Sequence, residues 1–306
     1  MKTYLIVRVH GLRQHLLKED DYHKLIRGDI DLDNLGYTTS IKENNIQELI
    51  EDISKKFIEK VLFLEKIAPE YSKFFRAFLE KLEVENIKAK LRYMRGSGGL
   101  EYYYPYHYFI DREKFLSIRN EEELIKILSE TPLSIKICID HIKARKGRIS
   151  LMEKELCLDA KYYEYYAESV KRYSKIIFSA IQLEKILTYT YWSIMLGRKD
   201  TEEIFLTINP ENFFLIEMGF HLLELKISRF EKYLENKDYS SLISLVDTLY
   251  LKRIKRLFLE NKNNLYTVYY YLILIYYEMK NLEKIVLGRK MALRPEIIRG
   301  TLKIIV

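Results

Sequence analysis

Glu83-Val84-Glu85-Asn86-Ile87-Lys88-Ala89-Lys90-Leu91 decides how this chain is read, because it returns twice. Ser179-Ala180-Ile181-Gln182-Leu183-Glu184-Lys185-Ile186-Leu187 aligns with it, and so does Glu278-Met279-Lys280-Asn281-Leu282-Glu283-Lys284-Ile285-Val286. Amides then fall at 86, 182 and 281, with nearly equal spacings of 96 and 99. Each amide is followed by an aliphatic residue, and another aliphatic stands five positions on. Glu83 and Glu278 lie three residues before their asparagines, on the same helical face; Ser179 takes that place in the middle copy. The middle register is open, since sliding Gln182 to Ile186 under Glu83 to Ile87, a shift of three, fits as well. A fainter echo sets a threonine just after an aliphatic position at Thr38, Thr131 and Thr248. Self-similarity at a fixed period marks repeated supersecondary units. It predicts three related all-helical bundles over 1–98, 99–200 and 201–306, joined in one compact protein.

The flanking sequence supports helices throughout. Ile46, Leu49, Ile50, Ile53, Phe57, Val61 and Leu64 step by three and four, drawing one apolar stripe. Pro69 closes that element. The next helix runs from about Glu70 to Met94 and is apolar on two adjoining faces. Gly96-Ser97-Gly98-Gly99 ends it. Asp111 suits an N-cap, since its carboxylate can accept from the free amides of a first turn. Helices are expected over 112–118, 121–128, 134–144, 150–173, 175–196, 213–234, 239–250, 254–261, 265–279 and 281–292, with a last one after Pro295. Thr3–Val9 and Ile204–Ile208 are the best strand candidates.

Composition bounds the partners. Of 306 residues, 48% are hydrophobic and 31% charged, which suits a globular chain, and the net charge of +7 favours an acidic partner or a membrane surface. Only 11 glycines and 5 prolines interrupt the helices. Lys, Glu, Ile and Tyr abound, as in thermophile proteins, a bias that genome base composition also produces. Cys138 and Cys157 form no CxxC pair and suggest no disulfide framework, so a reducing cytosolic setting is expected. The opening residues do not make a signal peptide. The most apolar stretch, Leu265–Tyr277, has 13 residues, six of them tyrosine. A bilayer crossing needs about 20 apolar residues, so this reads as a buried helix.

Enzymatic readings find no support. No GxxxxGK[ST] loop is present to cradle a nucleotide phosphate, and Gly96–Gly99 reads as a connection. His10, His15, His23, His107, His141 and His221 make no metal-ligand spacing. No nucleophile elbow exists, and neither cysteine has a catalytic context. No catalytic, metal or cofactor site, and so no cofactor, is expected. Glu101-Tyr102-Tyr103-Tyr104-Pro105-Tyr106-His107-Tyr108-Phe109, near Arg92, Arg95 and Arg112, could stack on bases while the arginines neutralise phosphate. The plainer reading is a tyrosine-rich loop packed on the bundle, and nucleic acid is not expected as a partner. Lys143, Arg145, Lys146 and Arg148 form the densest basic run; they suit either a solvated helix end at Gly147 or a face toward acidic lipid or acidic loops. The repeat residues Glu83, Asn86, Gln182, Glu278 and Asn281 are read as structural, with lining of a shared axis as the other possibility.

The order and spacing of these segments resemble the C-type subunit of the archaeal-type (A/V-type) rotary ATPases, known as d in the eukaryotic pump. Val7-Arg8-Val9 with Leu16-Leu17-Lys18-Glu19 looks like that family's start. The segment Phe74–Tyr93 with Glu83, Asn86 and Ile87 looks like its first repeat. Asp159-Ala160-Lys161-Tyr162-Tyr163 with Gln182-Leu183 looks like its second. Glu278 to Arg289 and Pro295-Glu296-Ile297-Ile298-Arg299 look like its ending. The resemblance spans essentially the whole chain. It implies a funnel-shaped all-α protein with pseudo-threefold symmetry, placed between the D and F proteins of the rotor stalk and the proteolipid ring. Such a protein transmits torque without catalysis or direct nucleotide binding, and sits peripherally at the cytoplasmic face of the membrane. The other reading, from a different class, is a basic helical protein that binds nucleic acid or a membrane surface.

Overall fold

A computed structural model describes residues 2–96 and 104–304. Among these, α-helices follow one another without a strand: α1 (Lys2–Arg13), α2 (Glu19–Arg27), α3 (Ile46–Ile67), α4 (Ser72–Met94), α5 (Arg112–Ser117), α6 (Glu121–Leu128), α7 (Lys136–Lys146), α8 (Leu151–Lys171), α9 (Lys175–Leu196), α10 (Arg198–Ile208), α11 (Asn212–Leu222), α12 (Ile227–Glu235), α13 (Tyr239–Glu260), α14 (Tyr266–Lys290) and α15 (Pro295–Thr301). The all-α expectation holds. Side-chain caps start many of them. Asn45 accepts from the Glu48 amide while Glu48 returns to the Asn45 amide, and Ser150 and Glu153 do the same for α8. Asp111 caps α5 as its sequence position suggested.

The described residues divide into two compact units. Residues 2–86, 104–106 and 261–304 form one, and 87–96 with 107–260 form the other. In the first, α14 is the central helix, packed by α1, α2, α3 and α15. Its tyrosine-rich stretch is buried, with Tyr266, Tyr269 and Leu272 fully enclosed. No described helix is long and apolar enough to cross a membrane. In the second, α9 is central, against α8, α10, α11 and α13. A ladder of ion pairs there joins α4 to α8: Lys88 to Asp159 at 2.5 Å and Arg92 to Glu155 at 2.5 Å.

Several expectations are corrected. Both strand candidates are helical, within α1 and α10. In α1 the β-branched residues do not alternate in burial; Leu5, Ile6 and Val9 share one inward face, which is helical spacing. The helix expected over 213–234 is broken into α11 and α12 by Glu224, whose φ of 58° no helix can hold. Conversely, 239–250 with 254–261, and 265–279 with 281–292, are each one continuous helix, since no glycine or proline separates the halves. Cys138 and Cys157 are joined by a disulfide. They lie 19 residues apart, a spacing with no motif; the turn at Gly147 (φ 71°) brings α8 back to α7 so that their buried faces meet.

Candidate functional site

The repeat asparagines do the same job in two places. Asn86, fully buried on α4, donates from Nδ2 to the Tyr104 carbonyl at 2.8 Å, and its Oδ1 accepts from the Tyr104 amide at 2.8 Å. Asn281, buried on α14, donates to the Lys303 carbonyl at 2.9 Å and accepts from the Lys303 amide at 2.9 Å. A primary amide matches the donor–acceptor pair of one extended residue, so each asparagine replaces a missing neighbouring strand. The clamped residues stand 18 and 22 positions downstream.

In the middle copy the work shifts to other residues. Gln182 is buried, yet neither atom of its amide has a hydrogen-bond partner. Lys185, three residues on, donates to Oδ1 of Asn212, and Asn212 donates to the Phe205 carbonyl at 2.5 Å. This matches the register shifted by three, in which Lys185 lies under Asn86 and the spacings become 99 and 96. A side chain from the repeat position again holds the downstream segment, here through a second residue. Burial depresses Lys185 to about 8, against a smaller opposing pull from Glu164.

The acidic repeat residues are also enclosed. Glu278 accepts from the Leu17 amide at 2.8 Å and from Lys60 at 2.6 Å, tying α14 to the α1–α2 turn and to α3. It lies beside a cavity of about 360 Å³ whose wall includes Arg13, Leu17, Tyr22, Tyr277 and Lys303. Burial pushes the hydroxyls of Tyr22, Tyr37 and Tyr271 up, and the Glu278 charge pushes them further. Glu83 is fully buried on α4. None of these five residues presents a reactive group to solvent. Among the described residues, no group of three or more His, Cys, Asp or Glu could hold a metal ion.

The basic run is only partly free. Lys146 pairs with Glu153 at 2.8 Å and Asp200 at 3.1 Å, while Arg145 pairs with Glu203 and with Asp200 at 3.2 Å. Lys143 and Arg148 are exposed. The aromatic run splits similarly: 101–103 lie outside the described residues, as do 97–99 of the glycine-rich connection, and Tyr104 and Tyr106 are buried. Lys280 donates to the Tyr104 hydroxyl and to Glu283 at 2.9 Å. Arg92 and Arg95 are engaged by Glu155 and Glu121. Tyr104, Tyr106, Arg92 and Arg95 are thus taken up by internal contacts, while Tyr108 and Arg112 are exposed.

Sequence reasoning missed the exposed apolar side chains. Tyr4 and Val7 on α1 and Phe63 on α3 face outward, as do Met291, Leu293 and Ile297 at the junction of α14 and α15. In the second unit Phe213 and Phe214 stand exposed on α11. The signal was present in Phe213–Ile216, apolar on every side of the helix, where the opposite face should be polar.

No curated protein matches the chain. The family model for the ATP synthase (C/AC39) subunit matches residues 5–301, nearly the whole length. This chain belongs to the ATP synthase (C/AC39) subunit family of V/A-type ATP synthases.

Proposed function

We propose that this chain is the non-catalytic coupling element of a rotary ATP synthase or ATPase, joining the stalk formed by the D and F proteins to the proteolipid ring and passing torque between them. The observation that carries this reading is the family match over residues 5–301. The architecture is compatible with the task. Torque transmission needs stiffness, and the buried helices α14 and α9, the paired asparagine clamps and the α4–α8 ion-pair ladder are rigid features. Exposed apolar residues such as Phe214 and Met291 suit a member of a larger assembly, in which partners cover them. The chain would act peripherally at the cytoplasmic face, with the ring supplying the membrane crossing.

We include in this proposal the division into three related units of about a hundred residues each, carried by Asn86, Lys185 with Asn212, and Asn281. The reading as a nucleic-acid or membrane-surface binder loses part of its local support, because Arg145, Lys146, Arg92 and Arg95 are paired with carboxylates, leaving Lys143 and Arg148 exposed. The test is size-exclusion chromatography of the purified protein with its cognate D–F stalk at low and high salt. A one-to-one complex at both salts supports coupling. No complex at either, with helical circular dichroism intact, would sink it.

A further inference from the structure

α7 is weakly held for a helix in a compact unit. Of its 11 residues only Cys138, Ile139 and Ile142 are buried, while Ile137 points outward and is 75% exposed. A helix this short is marginal in water and depends on tertiary anchors. Two anchors exist. One is the disulfide from Cys138 to Cys157 on α8, where both cysteines are fully buried. The other is a set of partly exposed ion pairs at its C-terminal end, Arg145 and Lys146 with Glu153, Asp200 and Glu203, beside a contact of His141 with Glu203 at 3.3 Å. Pairs that water still reaches on one side contribute little each. Of these contacts the disulfide is the covalent one, and the one that a change of redox state removes.

We propose that Cys138–Cys157 is a redox-controlled clasp on α7: oxidised, it pins the helix to α8; reduced, it frees the helix and the basic segment 143–148 that follows Ile142. Opening balances as a thiol–disulfide exchange. One thiolate of a dithiol attacks a cystine sulfur, giving a mixed disulfide and one cysteine thiolate. The second thiol closes on the first, releasing the other cysteine; two electrons and two protons pass to the protein and the reductant leaves as its cyclic disulfide. Both sulfurs are enclosed, so attack waits on local opening of α7 and is slow. Inside most cells thiols are kept reduced, and disulfide-rich intracellular proteins belong to hyperthermophiles. In the first setting α7 is released and in the second it is held.

The experiment is limited trypsin digestion of the full chain after treatment with oxidised glutathione, with and without dithiothreitol. Cleavage after Lys143 and Arg145, inside α7, is followed by mass spectrometry. Backbone must leave the helix before trypsin can cut it. Cleavage there should accelerate at least about tenfold on reduction, and a Cys138→Ala/Cys157→Ala chain should be cut at the fast rate under both conditions. Iodoacetamide labelling of the unfolded chain should add nothing before reduction and two groups after it. Two groups added to the glutathione-treated protein would overturn the proposal. So would equal cleavage rates with and without reductant, or reductant-dependent cleavage of the double variant.

Discussion

Asn86 and Asn281 carry the same bonds in different surroundings, and that difference sets what each is worth. Tyr104 is buried, so Asn86→Leu leaves a backbone donor and acceptor with neither partner nor water. At about 1–3 kcal/mol for each of the two groups, a loss of roughly 2–6 kcal/mol is expected. Lys303 is only half-buried and water can replace Asn281, so Asn281→Leu should cost about 1–2 kcal/mol. Urea unfolding of both variants checks the order; equal losses would mean the two clamps are equally wet. Lys185 makes a separate prediction. Burial sets it near 8 in the folded chain against an ordinary 10.5. Between those values the unfolded chain holds a proton that the folded one lacks, so this group's contribution to stability rises with pH. From pH 7.5 to 9.5 the wild type should gain about 1–2 kcal/mol relative to Lys185→Met. Tyrosines with raised values act the opposite way above pH 10, and the comparison with the variant cancels them. A pH-independent difference would show that Lys185 is solvated.

Elements were the most legible part of the sequence, for a physical reason. Caps and apolar spacing are local, so the bounds of α6 and α9 fall where the residues alone placed them. What stayed hidden was set by contacts. The break at Glu224 has neither glycine nor proline to announce it, and the pairing of Cys138 with Cys157 depends on how α7 meets α8. The candidate site was half legible: Asn86 and Asn281 were identified by their repeat, while Lys185 was passed over for Gln182 because an amide was sought and the position holds a lysine acting through Asn212. The glycines of α11 and α14 show the same dependence on packing. A Cβ at Gly219 would sit 2.4 Å from Ile186 Cγ1, and one at Gly288 would sit 2.6 Å from Ile298 Cγ1. Alanine gains about 1 kcal/mol of helix propensity at either place, against roughly 1–3 kcal/mol for overpacking. Ile186 is locked in the central helix α9, so packing wins and Gly219→Ala should destabilise by about 1–2 kcal/mol. Ile298 sits on the short helix α15, which can shift, so Gly288→Ala should stay within about 0.5 kcal/mol of the wild type. Thermal melts decide between them; a reversed order would mean that α11 yields more readily than α15.

For the whole molecule, the first unit is assembled from both ends of the chain. Glu278 on α14 receives the Leu17 amide and Lys60, 261 and 218 residues away, and Arg289 donates to the Leu25 carbonyl across 264 residues. No local pattern encodes such closures. The second unit is nearly continuous in sequence, and its central contacts, α8 with α9 and α9 with α10 and α11, join neighbours along the chain. Loops that long are costly to close before their contacts form, so α1 and α2 gain their interior partner only once α14 is in place, whereas α3 also meets α4 locally through Phe57 and Phe78. α14 then carries the cooperativity of the unit. Leu272 is fully buried in it, and Leu272→Ala should remove about 2–5 kcal/mol. If the unit opens as one body, that loss is felt wherever exchange requires the whole unit to open. Amides of α1 and α3, more than 200 residues away in sequence, should then exchange faster by a common factor of at least about tenfold, since each 1.4 kcal/mol is worth that much. Native-state hydrogen exchange read by mass spectrometry measures it directly. Acceleration confined to α14 would mean that the N-terminal helices hold together without it, and that the closures at Glu278 and Arg289 fasten two bodies instead of building one.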